Sequence, residues 1–334
     1  MRAGYVARRF VLSVFTLLLI TVAVYTAIRL APGAPTTDDE TAPAVGHPAP
    51  AQADVSIPIG YARWIASVAR LDLGASTTVQ PGRSVASMIG EALPFTVTLG
   101  CLSFVLTLGL AVPLGVLGAW PGHSMFSRAS GWLLYALYAL PAFWIALALQ
   151  NVMAGELRWL PAIGAGPMGG VRTGAGGLIE RAPYWILPTL SVSVGSLAFV
   201  IRFCRTSLRE ATHREYTVAA RARGASTARV LWTHALANSA VPLISLIGLM
   251  LPGIVSGSVL VETIFALPGV GRLFLIAAAR RDFSVVMAVS LLTACATLAA
   301  NLLADLLNHL ADPRMRPADG TGGTGGPDAR GTAP

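Results

Sequence analysis

Residues 202–238, RFCRTSLREATHREYTVAARARGASTARVLWTHALAN, form a polar island between two long apolar runs of the chain. The island is rich in arginine, and on a membrane protein such a cluster indicates a cytoplasmic loop. Read at helical period, a stripe of mostly small residues faces away from most of the arginines: Leu208, Ala211, Thr212, Tyr216, Ala219 and Ala220. The stripe predicts one helix that docks against another surface.

The island also carries signals that end this helix and begin the next. Gly224 stands where a left-handed residue would end the first helix. Ser226 stands where an N-cap would start a second helix, predicted over residues 227–237 and running into the membrane. Together these signals predict a helical elbow on the cytoplasmic surface.

The rest of the composition indicates a polytopic membrane protein. Of 334 residues, 54% are hydrophobic and 12% charged, and the mean hydropathy is +0.65. A helix needs roughly 20 apolar residues to cross the hydrocarbon core. Six charge-free windows are near or above this length, at residues 10–28, 94–120, 129–155, 182–201, 235–261 and 283–304. The predicted fold is all-α with six transmembrane helices.

Charge predicts the orientation of these helices. With the N-terminus inside, most arginines fall in the inside segments and most acidic residues fall outside, including Glu262 and Asp282 at the edges of apolar windows. Both termini are therefore predicted to be cytoplasmic.

Several function classes are disfavoured by residue types. The chain has no lysine, so it cannot form the ATP-binding loop in which a lysine reaches the phosphates. Its net charge of +8 is spread over membrane loops rather than gathered on one folded face, which argues against nucleic-acid binding. The three cysteines and five histidines lie in separate segments, and no hydrolase motif is present. We expect no catalytic, cofactor or metal site.

Within the polar island, the pattern Ala219-Ala220-x-x-x-Gly224 resembles the "EAA…G" loop of permease subunits of binding-protein-dependent ABC importers. The longer run YTVAARARGAS, residues 216–226, resembles the dipeptide/oligopeptide/nickel branch, with Val218 where glutamate is usual. The same branch, in its first-permease type, is similar at VETIFALPGVGRL (261–273, with Leu267 for tryptophan) and at DLLNHLADPRMR (305–316).

The resemblance implies a type I ABC importer permease in the bacterial cytoplasmic (inner) membrane. It implies a second permease subunit, ATPase subunits and an external solute-binding protein as partners, with peptides, or nickel and related small solutes, as cargo. In that family the loop forms a coupling helix in a groove of the ATPase. The residues expected to dock there are Tyr216, Ala219, Ala220, Arg221, Gly224 and Ala225.

The expected organisation has four parts. Residues 1–30 are a tail and the first transmembrane helix, and residues 31–93 are an external loop with a Pro/Ala-rich linker at 31–58. Residues 94–310 are the permease core with helices two to six, the coupling loop 202–238 and a Gly-rich external loop at 156–183. Residues 311–334 are a disordered cytoplasmic tail.

The alternative function is an ion-coupled secondary transporter. Such a protein requires an ionisable side chain deep in a span, where a charge is costly unless it is functional. The six windows contain none, which favours the importer subunit.

Overall fold

The structure is a computed structural model that describes residues 3–30, 56–120, 124–166, 175–256 and 258–311. The tail 312–334 and most of the predicted Pro/Ala-rich linker lie outside these ranges. Within them the chain is helical apart from turns, short connections and one isolated bridge between Ala75 and Ser84. The predicted all-α class is confirmed.

The helices follow the predicted apolar windows, with different bounds. They are α1 (Ala3–Leu30), α2 (Ile57–Ala69), α3 (Val85–Ala119), α4 (Ser124–Ala139), α5 (Ala142–Leu149), α6 (Ala175–Thr212), α7 (Glu215–Ala222), α8 (Thr227–Arg229), α9 (Leu236–Asn238), α10 (Ala240–Ser256), α11 (Val259–Ile264), α12 (Val270–Ala279) and α13 (Phe283–Ala311). Two π-helical segments, Gln150–Glu156 and Val230–Ala235, follow α5 and α8. Four helices are long and apolar enough to cross a membrane, or up to six if each of two bent pairs is one span.

Two helices begin earlier than predicted. α3 starts at Val85 rather than near residue 94, and α6 starts at Ala175, inside the predicted Gly-rich loop 156–183. Pro94 and Pro183 were expected to bound these helices but lie within them. A proline is tolerated inside a helix where neighbouring groups satisfy the carbonyl that it frees, and both helices continue through theirs.

The third apolar window is not one straight helix. α4 ends at Ala139, Pro141 occupies the N-cap of α5, and the two parts of the pair are bent by 101°. Proline lacks an amide hydrogen and its ring clashes with the carbonyl four residues earlier, so the helix breaks there. A proline inside an apolar window predicts a kinked helix, and the bend at Pro141 is sharp enough to divide the window 129–155 into two helices.

Helices α3 and α6 lie side by side and run in the same direction. Near their starts, the rings of Phe95 and Trp185 stack with centroids 6.3 Å apart. Near their ends, a Cβ atom added at Gly115 would lie 2.7 Å from Cys204. The chain between α3 and α6 must therefore return along the bundle.

The bent pair α4–α5 makes this return. On α4, the rings of Tyr135 and Tyr138 lie 5.5 and 5.3 Å from the Arg202 guanidinium, near the end of α6. Beyond Pro141, Leu149 and Met153 pack in the apolar cluster of Leu99 and Leu187, near the starts of α3 and α6.

The remaining long helices follow the same axis. α10 runs opposite to α3, because Leu246 packs with Ala111 whereas the carbonyl of Ile254 is 2.3 Å from where a Cβ at Gly100 would lie. An ion pair between Arg9 and Asp305 joins the beginning of α1 to the final turns of α13.

The bundle thus has two ends, which differ in construction. The elbow end comprises residues 115–120, 131–138 and 202–243, and its apolar cluster is centred on Val116, Leu208 and Leu231. The anchor end comprises residues 76–95, 185–187 and 259–285, and its cluster includes Val85 and Val285. Between the two ends, many large apolar side chains face outward, as expected where a helix contacts lipid.

Candidate functional site

The elbow begins as a continuation of α6 beyond its apolar part. The helix runs through Arg202 to Thr212, the chain turns at His213 and Arg214, and α7 then starts at Glu215. The prediction of one helix carrying the whole stripe from Leu208 to Ala220 is therefore wrong, because the stripe is divided between two helices.

Thr217 explains the turn between α6 and α7. Its side chain is fully buried, and its hydroxyl lies 3.0 Å from the carbonyl oxygens of Ala211 and Thr212 and 2.6 Å from that of Arg214. A hydroxyl has one proton and donates to one of these acceptors at a time. It thereby joins the first turn of α7 to the last turn of α6 and to the chain between them.

The inner side of the elbow packs against the bundle. Leu208 and Ala211 are buried in a cluster with Val116 of α3 and with Leu231 and Ala235 of the π-helical segment. The guanidinium of Arg209 donates a 3.3 Å hydrogen bond to the carbonyl of Gly118 at the end of α3. The elbow is therefore packed directly against the end of α3.

Gly224 ends α7 in the manner predicted. Its φ is +83°, in the left-handed region, and its amide donates to the carbonyl of Arg221 at 2.9 Å. The amide of Ala225 donates to the carbonyl of Ala220 at 3.1 Å, which completes the Schellman pair of hydrogen bonds. Nothing lies within 4 Å of where a Cβ at Gly224 would be, so this cap faces open space.

The second helix of the elbow also starts where predicted. The hydroxyl of Ser226 accepts the amide of Arg229 at 3.4 Å, and the helical stretch continues through the π-helical segment to Asn238. A bend of 62° then separates this stretch from α10. Pro242 would clash with the carbonyl of Asn238 in a straight helix. The stretch therefore does not itself run on along the bundle, in contrast to the prediction.

The expected docking residues are brought together on α7 and its cap. Tyr216 is 38% exposed, and Ala219, Arg221 and Gly224 are also exposed. Ala225 is half-buried, and Ala220 is only 2% exposed and faces the interior of the elbow. The ATPase-docking role of these six residues remains a prediction.

A polar cavity lies behind this surface. It has a volume of about 400 Å³ and lies between α6, α7 and the bend before α10. Its lining includes Glu210, Arg214 and Tyr216, and Ser239 at its margin donates a 3.4 Å hydrogen bond to the carbonyl of Ser207.

At the anchor end, the carboxylate of Asp282 organises the loop before α3. The residue is fully buried, and Oδ2 accepts the hydroxyl of Ser76 at 2.5 Å. The same oxygen lies 3.0, 3.0 and 3.1 Å from the amides of Thr77, Thr78 and Val79. Asp282 also precedes α13, and its Oδ1 is 3.4 Å from the amide nitrogen of Val285 in the first turn.

These hydrogen bonds determine the acidity of Asp282. Burial alone raises the pKa of the carboxyl group, because it disfavours the charged form. The hydrogen bonds from Ser76, Thr78, Val79 and Val285 stabilise the charged form, and the resulting pKa lies below the ordinary value of 3.8.

Glu262 forms a second buried anchor on α11. Its Oε1 accepts the hydroxyl of Thr96 at 2.8 Å, and its Oε2 accepts the amide of Arg272 at 2.9 Å. The Thr96 oxygen in turn accepts the amide of Val270 at 2.8 Å. Glu262 and Thr96 together cap the beginning of α12 and hold it against α3.

The glycine at the N-cap of α12 allows this close approach. A Cβ at Gly269 would lie 2.4 Å from the Glu262 carboxylate. Burial raises the pKa of Glu262 above its ordinary value of 4.5, and the hydrogen bonds from Arg272, Thr96 and Gly271 oppose the shift without cancelling it.

From the sequence, Glu262 and Asp282 are predicted only to be external charges. An aspartate directly before an apolar helix is an N-cap signal, and it could have identified one role of Asp282. The partners that bury the two carboxylates, Ser76 for Asp282 and Thr96 for Glu262, are distant in sequence, so no local pattern predicts the burial. Among the described residues, no group of three or more His, Cys, Asp or Glu side chains comes together to hold a metal ion.

Comparison with known proteins relates the chain to a transport family. Residues 123–317 match the family described as "Binding-protein-dependent transport system inner membrane component". The oligopeptide transport system permease protein AppB of Bacillus subtilis is 32% identical over 320 residues, covering 94% of this chain and 99% of AppB. The oligopeptide transport system permease protein OppB of Escherichia coli is 30% identical over 315 residues, covering 93% of this chain and 99% of OppB.

A solved structure has a similar fold. An inward-facing conformation of the MetNI methionine ABC transporter superposes with a TM-score of 0.52 at 15% sequence identity. The match covers 68% of this chain and 97% of the solved chain.

Proposed function

Because this chain belongs to the family of binding-protein-dependent transport system inner membrane components, we propose that it is one of two permease subunits of an ATP-driven importer. Partner ATPase subunits hydrolyse the ATP, and an external solute-binding protein delivers the cargo. The peptide permeases among its relatives favour peptides as that cargo. The observation that carries the proposal is the capped elbow, which presents α7 on an open surface next to two bundle helices.

The proposal includes six membrane crossings with both termini in the cytoplasm. Parallel α3 and α6 require the bent pair α4–α5 to cross between them, and the Arg9–Asp305 ion pair favours termini on one side. The arginine-rich elbow then lies in the cytoplasm, in agreement with the positive-inside rule. The anchor end then lies on the external side of the membrane.

In this mechanism the ATPase subunit binds the surface formed by Tyr216, Ala219, Arg221, Gly224 and Ala225, while Ala220 supports it from inside. Small residues allow close approach of the partner, and Arg221 forms charge-assisted hydrogen bonds with acidic side chains of the ATPase. When the ATPases close on ATP, the elbow moves as a rigid lever. The buried contact of Leu208 with Val116 passes this motion to the bundle, which alternates between inward-open and outward-open states.

The ion-coupled alternative gains no support from the buried acid Glu262. Both of its carboxylate oxygens accept hydrogen bonds, from the hydroxyl of Thr96 and from the amide of Arg272. A carboxylate engaged in this way holds a helix in place, whereas a proton carrier has to exchange protons with water on both sides of the membrane.

Co-purification from mild detergent tests the docking surface. Gly224→Asp places a charged side chain in left-handed geometry on the open cap, and we expect the ATPase that accompanies the wild-type chain to be lost. Gly82→Asp is the matched control, because Gly82 has φ +81° and equally open surroundings at the anchor end. Equal ATPase recovery with both variants would contradict the proposed docking surface.

Cysteine labelling tests the orientation. Arg221→Cys is expected to react with a membrane-impermeant maleimide only in inverted vesicles, because the elbow is placed in the cytoplasm. Arg63→Cys, on exposed α2, is expected to react only in intact spheroplasts. The reverse pattern would contradict the orientation.

A further inference from the structure

A second cavity lies at the anchor end, away from the elbow. Its volume is about 510 Å³, within the range typical of small-molecule sites. One wall is formed by Met88, Ala92 and Phe95 of α3, and the opposite wall by Leu273 and Ile276 of α12. These walls are apolar, and the loop before α3 closes one end.

Three charged side chains line the cavity, and they differ in sign. Arg83 of the loop forms an ion pair with Glu91 of α3 and donates a 2.5 Å hydrogen bond to Oε1 of Gln80. Both members of this ion pair are substantially exposed, at 38% and 65%. Exposed ion pairs contribute little to stability, so a ligand that carries both charges replaces this pair at small cost.

The third charged residue, Arg272, is held in place by one hydrogen bond from its amide and one from its guanidinium. Its amide donates to Glu262, and its Nη1 donates a 3.0 Å hydrogen bond to the carbonyl of Ala266. A guanidinium has five N–H donors, so this hydrogen bond leaves capacity to bind a carboxylate, which arginine recognises with paired hydrogen bonds.

The two buried carboxylates hold the parts of the chain that surround the cavity, namely the loop before α3 and the start of α12. Asp282 accepts the amide of Val79 on the loop side of the cavity. Glu262 supports the opposite side, where it caps α12 just before Arg272. The backbone on both sides of the cavity is therefore held by these carboxylates, whereas the Arg83 side chain is held only by its exposed contacts with Gln80 and Glu91.

We propose that this cavity binds the free ends of a short zwitterionic peptide before it passes through the permease. Arg272 and Arg83 bind the terminal carboxylate, Glu91 binds the terminal ammonium, and the walls of α3 and α12 contact the peptide side chains. The inference rests on the proposed importer function and specifies where the cargo first contacts this subunit. Opposite charges at the rim and apolar walls match a peptide with both termini free.

Binding to the full-length chain, purified together with its partner subunits in nanodiscs and without solute-binding protein, tests the site. The probes are trileucine with free termini and N-acetyl-trileucine amide, measured by isothermal titration. We expect the free peptide to bind and the capped peptide to bind at least about 10-fold more weakly, since each charge-assisted contact is lost.

The variants are Arg272→Gln and Glu91→Gln, with Arg63→Gln on exposed α2 as the control outside the cavity. Each cavity variant is expected to weaken binding of free trileucine about 10- to 100-fold, and the control to leave it unchanged. Because Glu91 is exposed, its replacement preserves folding and keeps the test valid if Arg272→Gln misfolds.

The outcomes separate this inference from the importer function. If the complex imports peptides but binds free and capped trileucine equally, or if neither cavity variant weakens binding, the cavity is not the cargo site and the importer function stands. If free trileucine binds but no peptide is imported, the importer function fails. Complete cross-linking of Ile276→Cys to the second permease subunit would show that the cavity is a subunit interface and would overturn the inference.

Discussion

The two ends of the bundle are stabilised by hydrogen bonds of different range. At the elbow, the Gly224 cap and the contacts of Thr217 join residues at most six positions apart in the sequence. At the anchor end, Ser76 contacts Asp282 across 206 positions and Thr96 contacts Glu262 across 166. The elbow is thus a local structure on an exposed surface, whereas the anchor end exists only when distant segments have assembled.

This difference matches the roles proposed for the two ends. On the elbow, Gly224 and the arginines from Arg214 to Arg229 are exposed, and few of its hydrogen bonds reach the rest of the bundle, as the proposed lever requires. The anchor end buries Glu262 and Asp282, whose hydrogen bonds join α11, α12 and α13 to α3 and its preceding loop. Changes at the anchor end should therefore affect global stability, and changes at the elbow should affect local structure and coupling.

The largest effect is expected for Asp282→Ala. It leaves the Ser76 hydroxyl and a row of loop amides without an acceptor, and we expect the free energy of unfolding to fall by about 4 kcal/mol. Unfolding in mixed SDS micelles, followed by circular dichroism, measures this. Asp72→Ala is the control, because exposed Asp72 accepts one hydrogen bond, from the amide of Gly74, and should cost less than about 1 kcal/mol. Equal costs would remove the distinction between the two ends.

Glu262→Gln should have the next largest effect, about 2 kcal/mol in the same assay. Glutamine retains one oxygen acceptor, but its amide group faces a donor from Thr96 or from the backbone of Arg272. Glu210→Gln, at an exposed position of α6 outside the anchor end, is the control and should cost less than about 0.5 kcal/mol. A negligible cost for Glu262→Gln would mean that the cap of α12 is not anchored by this carboxylate.

The contributions of Asp282 and Glu262 to the free energy of unfolding should change with pH in opposite directions. The pKa of Asp282 is lowered in the folded state, so its stabilisation is complete above the ordinary value of 3.8 and is lost as pH falls through the folded pKa. The pKa of Glu262 is raised, so its stabilisation is present below 4.5 and is lost as pH rises through the folded pKa. The cost of Asp282→Asn should therefore decrease toward acid, and that of Glu262→Gln should decrease toward neutrality. Parallel pH profiles would contradict this assignment.

A smaller and more local effect is expected at the elbow. Thr217→Val keeps the shape of the side chain but removes the hydroxyl that closes the turn between α6 and α7, at a cost of about 1 kcal/mol. Hydrogen exchange should increase in α7, while the unfolding transition of the bundle stays nearly unchanged. Thr233→Val, at an exposed position, should change neither measurement. Global destabilisation by Thr217→Val would show that the elbow is not locally organised.

The smallest effect is expected for Ser226→Ala, about 0.5 kcal/mol, since the cap hydrogen bond to the amide of Arg229 is long at 3.4 Å. Faster hydrogen exchange confined to α8 would confirm the local cap. Exchange that also increases in α7 would indicate that the two helices of the elbow unfold together.

The sequence predicted most of the elbow because its signals are local. Gly224 takes the left-handed conformation and Ser226 caps a helix, as their positions indicated. The turn at His213 was missed because residues on both sides of it follow helical period, and only the buried hydroxyl of Thr217 shows where the helix ends. Likewise, a proline such as Pro141 predicted a kink, but its angle of 101° is given only by the structure.

By itself, the sequence determined the all-α class, the apolar windows and the family, because hydropathy and short motifs depend on residues that are close in the chain. Tertiary structure decided which acids became anchors. Glu262 and Asp282 lie at the edges of apolar windows like other external acids, and only the approach of α3 and its preceding loop supplies the donors that make their burial favourable. Hydrogen-bond partners so far apart in the chain leave no periodic pattern, and they are found only when the chain has folded.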